Sequence, residues 1–219
     1  MTTHKLLSAW AKRSGVASAG VAAVLMLSAC AGNAPADPGP ESSPPTASAT
    51  ASPTATPTPT PSAVYKPADA SGPAQNVPVP VLPEVAKTET KEGLEAFTRY
   101  WFEHLNYAYQ TGEVSTVQSH TAPGCQYCNN ITGSLTTNYQ EGRWLAGGRI
   151  TLPAATTTFE KSSDGNYQVI LQVLQDTITY YQPGGSEFRQ ATKPSNTGNV
   201  LLVAFEGSGW RVNGLHPLR

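Results

Sequence analysis

The sequence predicts an α+β domain, with helices first and then a curved antiparallel sheet on which they pack. Three observations carry that expectation. Between residues 91 and 110, Leu94, Phe97, Trp101, Leu105, Ala108 and Tyr109 recur at helical spacing on one face. Beyond about residue 149 the chain shifts to runs rich in β-branched and aromatic residues, such as Thr156, Thr157, Thr158 and Phe159. Short turn signals separate these runs: Ser163-Asp164-Gly165, Pro183-Gly184-Gly185 and Gly207-Ser208-Gly209. Helices followed by antiparallel strands form the arrangement in which helices cover one face of a sheet.

The first helix is predicted over 91–110. Thr88 or Thr90 caps its start, Glu89 and Glu92 lie near the positive end of its dipole, and Gly112 ends it. Residues 113–120 read as a short second helix with Val114 and Val117 inward, broken by Pro123-Gly124. The third runs from 125 to about 140 and carries Cys128, Ile131, Leu135 and Tyr139 at spacings near three and four, until Gly142 closes it. Trp144, Leu145 and Gly147-Gly148 read as a turn into the sheet. About four strands follow, over 149–160, 167–182, 199–206 and 210–215, with 188–191 as a short addition. In the long run 167–182, Val169, Leu171 and Val173 share one face while Ile170, Leu174, Ile178 and Tyr180 share the other. Either both faces are partly covered or a bulge intervenes.

The N-terminal part follows different rules. Residues 1–15 hold Lys5, Lys12 and Arg13 and no acid, and 16–27 is a run of small and apolar residues. Positive region, apolar region and small residues, in that order, make a secretory signal. As a helix the apolar run spans about 18 Å, short of the roughly 20 apolar residues a membrane span needs. It ends in Leu27-Ser28-Ala29-Cys30, which resembles the bacterial lipobox. That resemblance implies diacylglycerol transfer to the Cys30 thiol, cleavage before Cys30 and a membrane attachment made by lipid. Each buried acyl methylene contributes about 0.8 kcal/mol, and two chains anchor a protein stably.

Removing residues 1–29 leaves eleven basic against fifteen acidic side chains, a net charge of −4. There is no basic stripe interleaved with aromatics, so nucleic acid is not an expected partner. Fourteen of the 19 prolines lie between Pro35 and Pro83, and 46–61 contains no charge and no large apolar residue. Such a segment buries too little apolar surface to offset chain entropy. The expected organisation is therefore a signal peptide over 1–29, a disordered Pro/Thr/Ser/Ala-rich tether over 30–87, and an α+β domain over 88–219. The tether would reach between roughly 40 Å as a coil and about 175 Å as extended polyproline. The alternation of Val77, Val79, Val81 and Leu82 with proline fits a continuation of the tether better than a lead-in lying along the domain.

The order of elements, closed by the hairpin Val-Ala-Phe-Glu-Gly-Ser-Gly-Trp-Arg-Val at 203–212, resembles the nuclear-transport-factor-2-like cone fold. More narrowly, Tyr-Trp-Phe-Glu-His-Leu-Asn-Tyr-Ala at 100–108, the Cys125-x-x-Cys128 pair and Gly-Arg-Trp-Leu-Ala-Gly-Gly at 142–148 resemble a family of actinobacterial lipoproteins of unknown function. The likeness spans most of residues 90–219. It implies an envelope location and assigns no catalytic residue.

With Cys30 set aside for lipid, Cys125 and Cys128 form an even remainder in an exported chain, which fits an oxidising compartment. The leading reading is a small structural disulfide at the start of the third helix. A redox pair at a helix N-terminus is a second. A tetrahedral metal site with His120 and His104 is a third. His104 lies beside the apolar stripe of the first helix, and with Asp176 it could form an acid–base pair in a cone interior. Trp101, Tyr100, Tyr107, Tyr109, Trp144 and Trp210 serve either the core or an aromatic groove. The candidate ligand pocket is accordingly His104, Trp101, Tyr107 and Asp176. No catalytic set, metal or cofactor is expected. The leading expectation is an exported lipoprotein whose small domain binds an unidentified envelope protein or small ligand. A His/Asp cone-fold enzyme and an envelope thiol–disulfide protein are the alternatives.

Overall fold

The structure is a computed structural model that describes residues 63–207 and 209–218. The expected signal sequence, Cys30 and the expected tether up to residue 62 lie outside the described residues. Among the described residues no helix is long and apolar enough to cross a membrane.

Among the described residues three α-helices precede the sheets. α1 (Lys91–Thr111) starts where the Thr90 hydroxyl accepts from the Gly93 N–H at 3.0 Å, and it ends at Gly112, whose φ of 78° is left-handed. Its apolar stripe, Leu94, Phe97, Trp101, Leu105 and Ala108, is buried throughout. α2 (Ser115–Ser119) is one turn that buries Val117. α3 (Gln126–Asn138) buries Cys128, Thr132, Leu135 and Asn138.

Seven antiparallel strands follow, more than the four or so expected. β1 (Trp144–Gly147), β4 (Ile178–Tyr181) and β5 (Glu187–Thr192) form one sheet in the order β1-β4-β5. β2 (Ile150–Thr156), β3 (Tyr167–Gln175), β6 (Ser195–Glu206) and β7 (Gly209–Pro217) form the other in the order β2-β3-β6-β7. Residues 144–147, read from sequence as a turn, are a strand because they pair with β4 from Trp144↔Tyr181 to Gly147↔Ile178.

The two sheets meet where both chains bend. Gly148-Arg149 separates β1 from β2, and Asp176-Thr177 separates β3 from β4. The Gly148 N–H donates to the Thr177 carbonyl and the Asp176 N–H to that of Arg149. A Cβ on Gly147 would collide with the Thr177 carbonyl oxygen, so glycine is required there. The bend also resolves the two-faced pattern of 167–182. Tyr167, Val169 and Leu171 face inward on β3, whereas Ile178 and Tyr180 face inward on β4. Side chains alternate faces with a period of two, so an irregularity between the strands switches the buried set from odd to even positions.

Two side chains fasten α1 to what it covers. The Asn106 amide donates to the Ile150 carbonyl at 2.9 Å, and its oxygen accepts from the Ile150 N–H at 2.7 Å, closing the start of β2 as a neighbouring strand would. The Trp101 indole N–H donates to the Thr121 hydroxyl at 3.1 Å. The segment around Thr121 in turn lies along β7: the Ala122 N–H donates to the Val212 carbonyl and the Val212 N–H to that of His120, both at 2.8 Å.

The expectation of a tether reaching residue 87 needs correction. Residues 66–75 form a small hairpin, with Lys66 paired to Gln75 and Asp69 to Gly72. The Tyr65 hydroxyl donates to the Gln110 side chain at 2.7 Å, and the Trp144 indole donates to the Asp69 carbonyl at 2.9 Å. Leu82 packs against the core, and Ala86 is buried within a 3-10 turn, Glu84–Lys87. Proline explains how a segment of such composition can dock. It holds the chain near polyproline geometry before contact, so little further entropy is lost on ordering. Residues 77–82 are thus the lead-in along the domain that the sequence reading set aside.

Candidate functional site

A cavity of about 250 Å³ lies between α3, the end of α1 and the inward face of β1 and β4. Its aromatic and aliphatic walls are Tyr109, Tyr127, Ile131, Leu135, Leu145, Ile178 and Tyr180. Asn130, Ser134 and Asn138 add amides and a hydroxyl. The origin of each wall is local. Residues 127, 130, 131, 134 and 138 share one face of α3 by helical spacing. Ile178 and Tyr180 point inward because of the register change at the bend. Gly148 leaves room beside them, since a Cβ there would come within 3.0 Å of Ile178 and 3.3 Å of Tyr109.

The walls are held by bonds that do not use the cavity. The Tyr180 hydroxyl is 2.7 Å from that of Thr192, and the Arg189 guanidinium lies 4.2 Å over the Tyr180 ring. The Tyr139 hydroxyl donates to the Tyr109 carbonyl at 2.8 Å. Among the described residues the lining contains no carboxylate, imidazole, ammonium, guanidinium or thiol. Its one perturbed group is the Tyr109 phenol, which burial pushes above the usual tyrosine range and so keeps neutral.

The structure does not gather the four residues that the sequence suggested for a pocket. Trp101 is core, 1% exposed, edge-on to Phe102 at 5.0 Å. Asp176 is exposed at the bend between β3 and β4, and it shares no cavity or hydrogen bond with His104. His104 is buried on α1, edge-on to Tyr100 at 4.5 Å and 6.3 Å from Tyr107. Only His104 and Tyr107 come together, beside the lead-in segment. The acid–base pair is therefore not formed.

Cys125 and Cys128 are joined in a disulfide with Cα atoms 5.3 Å apart, and both are buried. The bond leaves no thiolate for a metal, and burial removes the exposed sulfur that a redox pair needs. Tyr127, Asn130, Ser134 and Asn138 were missed. Their signal was a second stripe on the third helix, next to the apolar one and spaced by three and four.

His104 carries a pH dependence. Burial pushes its pKa below the usual imidazole range; the Pro80 backbone opposes that shift, and the nearby His120 adds to it. His120 is lowered as well, first by burial. An unfolded chain, with histidine pKa near 6.5, binds more protons than the folded one as pH falls below that value. Stability contributed by the neutral rings is fully present above pH of about 6.5 and is lost as pH falls through the depressed folded values. Urea midpoints should therefore drop on acidification through this window, and His104→Phe should shallow the drop.

Helices closed over one side of a bent antiparallel sheet, with a hollow between them, define an α+β domain of cone-like form. The chain belongs to the "Family of unknown function (DUF6318)", which matches residues 63–216. The match takes in the lead-in hairpin and so agrees with the corrected start of the domain. No curated protein matches the chain. Among solved structures it resembles the intermembrane space region of the chloroplast protein ARC6, with 12% identity and a TM-score of 0.41, over 59% of this chain and 96% of that one. It also resembles Aln2 from a Streptomyces species, with 10% identity and a TM-score of 0.38, over 58% of this chain and 90% of that one. A third is a protein with a cystatin-like fold from Caulobacter vibrioides, with 13% identity and a TM-score of 0.35, over 56% of this chain and 87% of that one.

Proposed function

We propose that this is an exported, lipid-anchored envelope protein whose DUF6318 domain binds a small ligand in the cavity between α3 and the bent sheet, without catalysing its conversion. The observation that carries the binding reading is the cavity itself, with three tyrosines, four aliphatic side chains and neutral amides or hydroxyls around it. Ligand sites are concave and mostly apolar, with a few convergent polar groups that fix orientation. General acid–base catalysis near neutral pH needs a group that titrates there, and this lining holds none.

Export and anchoring are supported by the order of charges, apolar run and Leu27-Ser28-Ala29-Cys30. The 32 residues between Cys30 and Ala63 would span about 100 Å at polyproline extension. That length would let the domain meet its ligand away from the lipid surface.

Each half of the proposal has its own test. For the anchor, Cys30→Ala protein is expected to leave the membrane fraction after a carbonate wash, and its full retention there would refute lipid attachment. For the cavity, the neutral fluorophore N-phenyl-1-naphthylamine is expected to bind the mature chain. Ser134→Trp, which places an indole at the rim, is expected to abolish that binding with the melting temperature kept. Binding that Ser134→Trp leaves unchanged would place the ligand elsewhere.

A further inference from the structure

The hollow lined by α3 continues beyond its first cavity. A second one, of about 370 Å³, shares Tyr127 and Asn130 with it. Gly124, Cys125 and Gln126 wall it at the start of α3, and β7 supplies Asn213 through Pro217. We propose that the two form one groove that binds a neutral polyhydroxylated chain, an oligosaccharide. This rests on the ligand-binding reading above and names the chemical class of the ligand.

Size argues for an extended occupant. At about 250 Å³ the inner cavity falls short of the roughly 300–1,000 Å³ of small-molecule pockets, while the outer one lies within that range. A ligand of useful affinity that enters the inner cavity therefore runs past Tyr127 into the outer one.

Charge argues for a neutral occupant. Neither lining contains Asp, Glu, Lys or Arg, and apart from tyrosine the one ionisable side chain is His216 at the outer end. A charged ligand would be desolvated with no charge of the lining to meet it, which is costly; the Arg189 guanidinium, over the Tyr180 ring and 3.4 Å from the Asn138 oxygen, is engaged with those two side chains instead.

The polar groups match hydroxyls. Side-chain amides and phenols both donate and accept, as sugar hydroxyls do. The side chains of Gln126 and Tyr127 have no hydrogen-bond partner among the described residues, nor does that of Asn130, and Asn213 spends only its N–H on Asn166 at 2.8 Å. They stand ready for a ligand's hydroxyls. Tyr127, 47% exposed, offers a ring where the two hollows meet. The apolar C–H face of a pyranose stacks on such a ring, while its hydroxyls reach the amides around it.

A peptide fits less well. An extended peptide usually gains its affinity by adding a strand to a free sheet edge. On β7 the outward N–H and carbonyl of Val212 are already taken by His120 and Ala122, so the edge open to a peptide strand is confined at most to the short stretch 213–217.

The test uses the mature full chain on immobilised neutral oligosaccharides of glucose, galactose, mannose and arabinose, with sulfated and uronic-acid chains and a random peptide library alongside. N-phenyl-1-naphthylamine reports on the inner cavity in parallel. Retention on at least one neutral oligosaccharide is expected, weakened at least about tenfold by Tyr127→Ala, which removes the stacked ring. Asn130→Ala should weaken it too, and neither exposed-site variant should shift the melting temperature. If the fluorophore binds in a Ser134→Trp-sensitive way but no neutral oligosaccharide is retained, the oligosaccharide proposal falls and the cavity reading stands. If neither binds, both fall. Retention only on charged chains or peptides, or retention indifferent to Tyr127→Ala, also overturns the proposal.

Discussion

Trp101→Ala should lower the unfolding free energy of the domain by about 3–5 kcal/mol, the range for emptying a buried aromatic site. Trp101 is 1% exposed and sits mid-way along α1, packed edge-on against Phe102 at 5.0 Å. Its indole N–H is also the link to Thr121, whose hydroxyl donates onward to the Val117 carbonyl at 2.6 Å. That short chain of bonds ties α1 to the segment lying along β7. Alanine therefore removes packing volume and the tie together. Trp101→Phe should recover most of the packing share of the loss, because it refills much of the site, while the tie to Thr121 stays broken. Urea unfolding of the three proteins measures both effects. An alanine cost below about 1 kcal/mol would mean that the α1 stripe is not the centre of the core.

Asn106→Leu should cost about 2–4 kcal/mol for a different reason. The side chain is 6% exposed and meets both backbone groups of Ile150, one as donor and one as acceptor. Leucine is close in size, so little packing is lost. What it leaves behind is a buried N–H and a buried carbonyl with no partner, each at roughly 1–3 kcal/mol. Asn106→Asp separates the two contributions by pH: at neutral pH its carboxylate accepts from the Ile150 N–H but sets a buried charged oxygen against the carbonyl, whereas the protonated carboxyl group can make both bonds. Relative to wild type, the Asp variant is therefore expected to regain stability in urea as pH falls through the carboxyl range, and the Leu variant is not. An Asp deficit that does not change with pH would show that the bond to the Ile150 carbonyl contributes nothing.

What the sequence made legible was local. α1 reads almost to the residue, because the stripe from Leu94 to Ala108, the Thr90 cap and the Gly112 stop all lie within the element they define. The hairpin turns at Ser163-Asp164-Gly165 and Pro183-Gly184-Gly185 are equally self-contained. The misses depend on distant partners. β1 is only four residues long, and nothing within it says that Trp144 will face Tyr181. The lead-in has the composition of a spacer, and what fixes it lies elsewhere in the chain: Gln110 for Tyr65, Trp144 for Asp69.

The site divided in the same way. Trp101 and His104 were drawn from the most conspicuous helix, yet a conspicuous apolar stripe marks the core rather than an opening. His104 is buried with Pro80 beside it, and Asp176 lies exposed at a bend whose position depends on the pairing of two strands. The cavity instead comes from that bend, which turns Ile178 and Tyr180 inward, and from the quieter Tyr/Asn/Ser stripe of α3. Composition alone gives that stripe no prominence. The disulfide was legible, because counting cysteines after setting Cys30 aside left a single pair.

The central claim is that the cavity between α3 and the bent sheet holds a ligand. Native mass spectrometry of the full chain, purified from the cells that make it, tests it most directly. A non-covalent adduct is expected that leaves at modest collision energy and is missing from the Ser134→Trp variant prepared in the same way. A wild-type chain with no such adduct, or an adduct that Ser134→Trp retains in full, would contradict it.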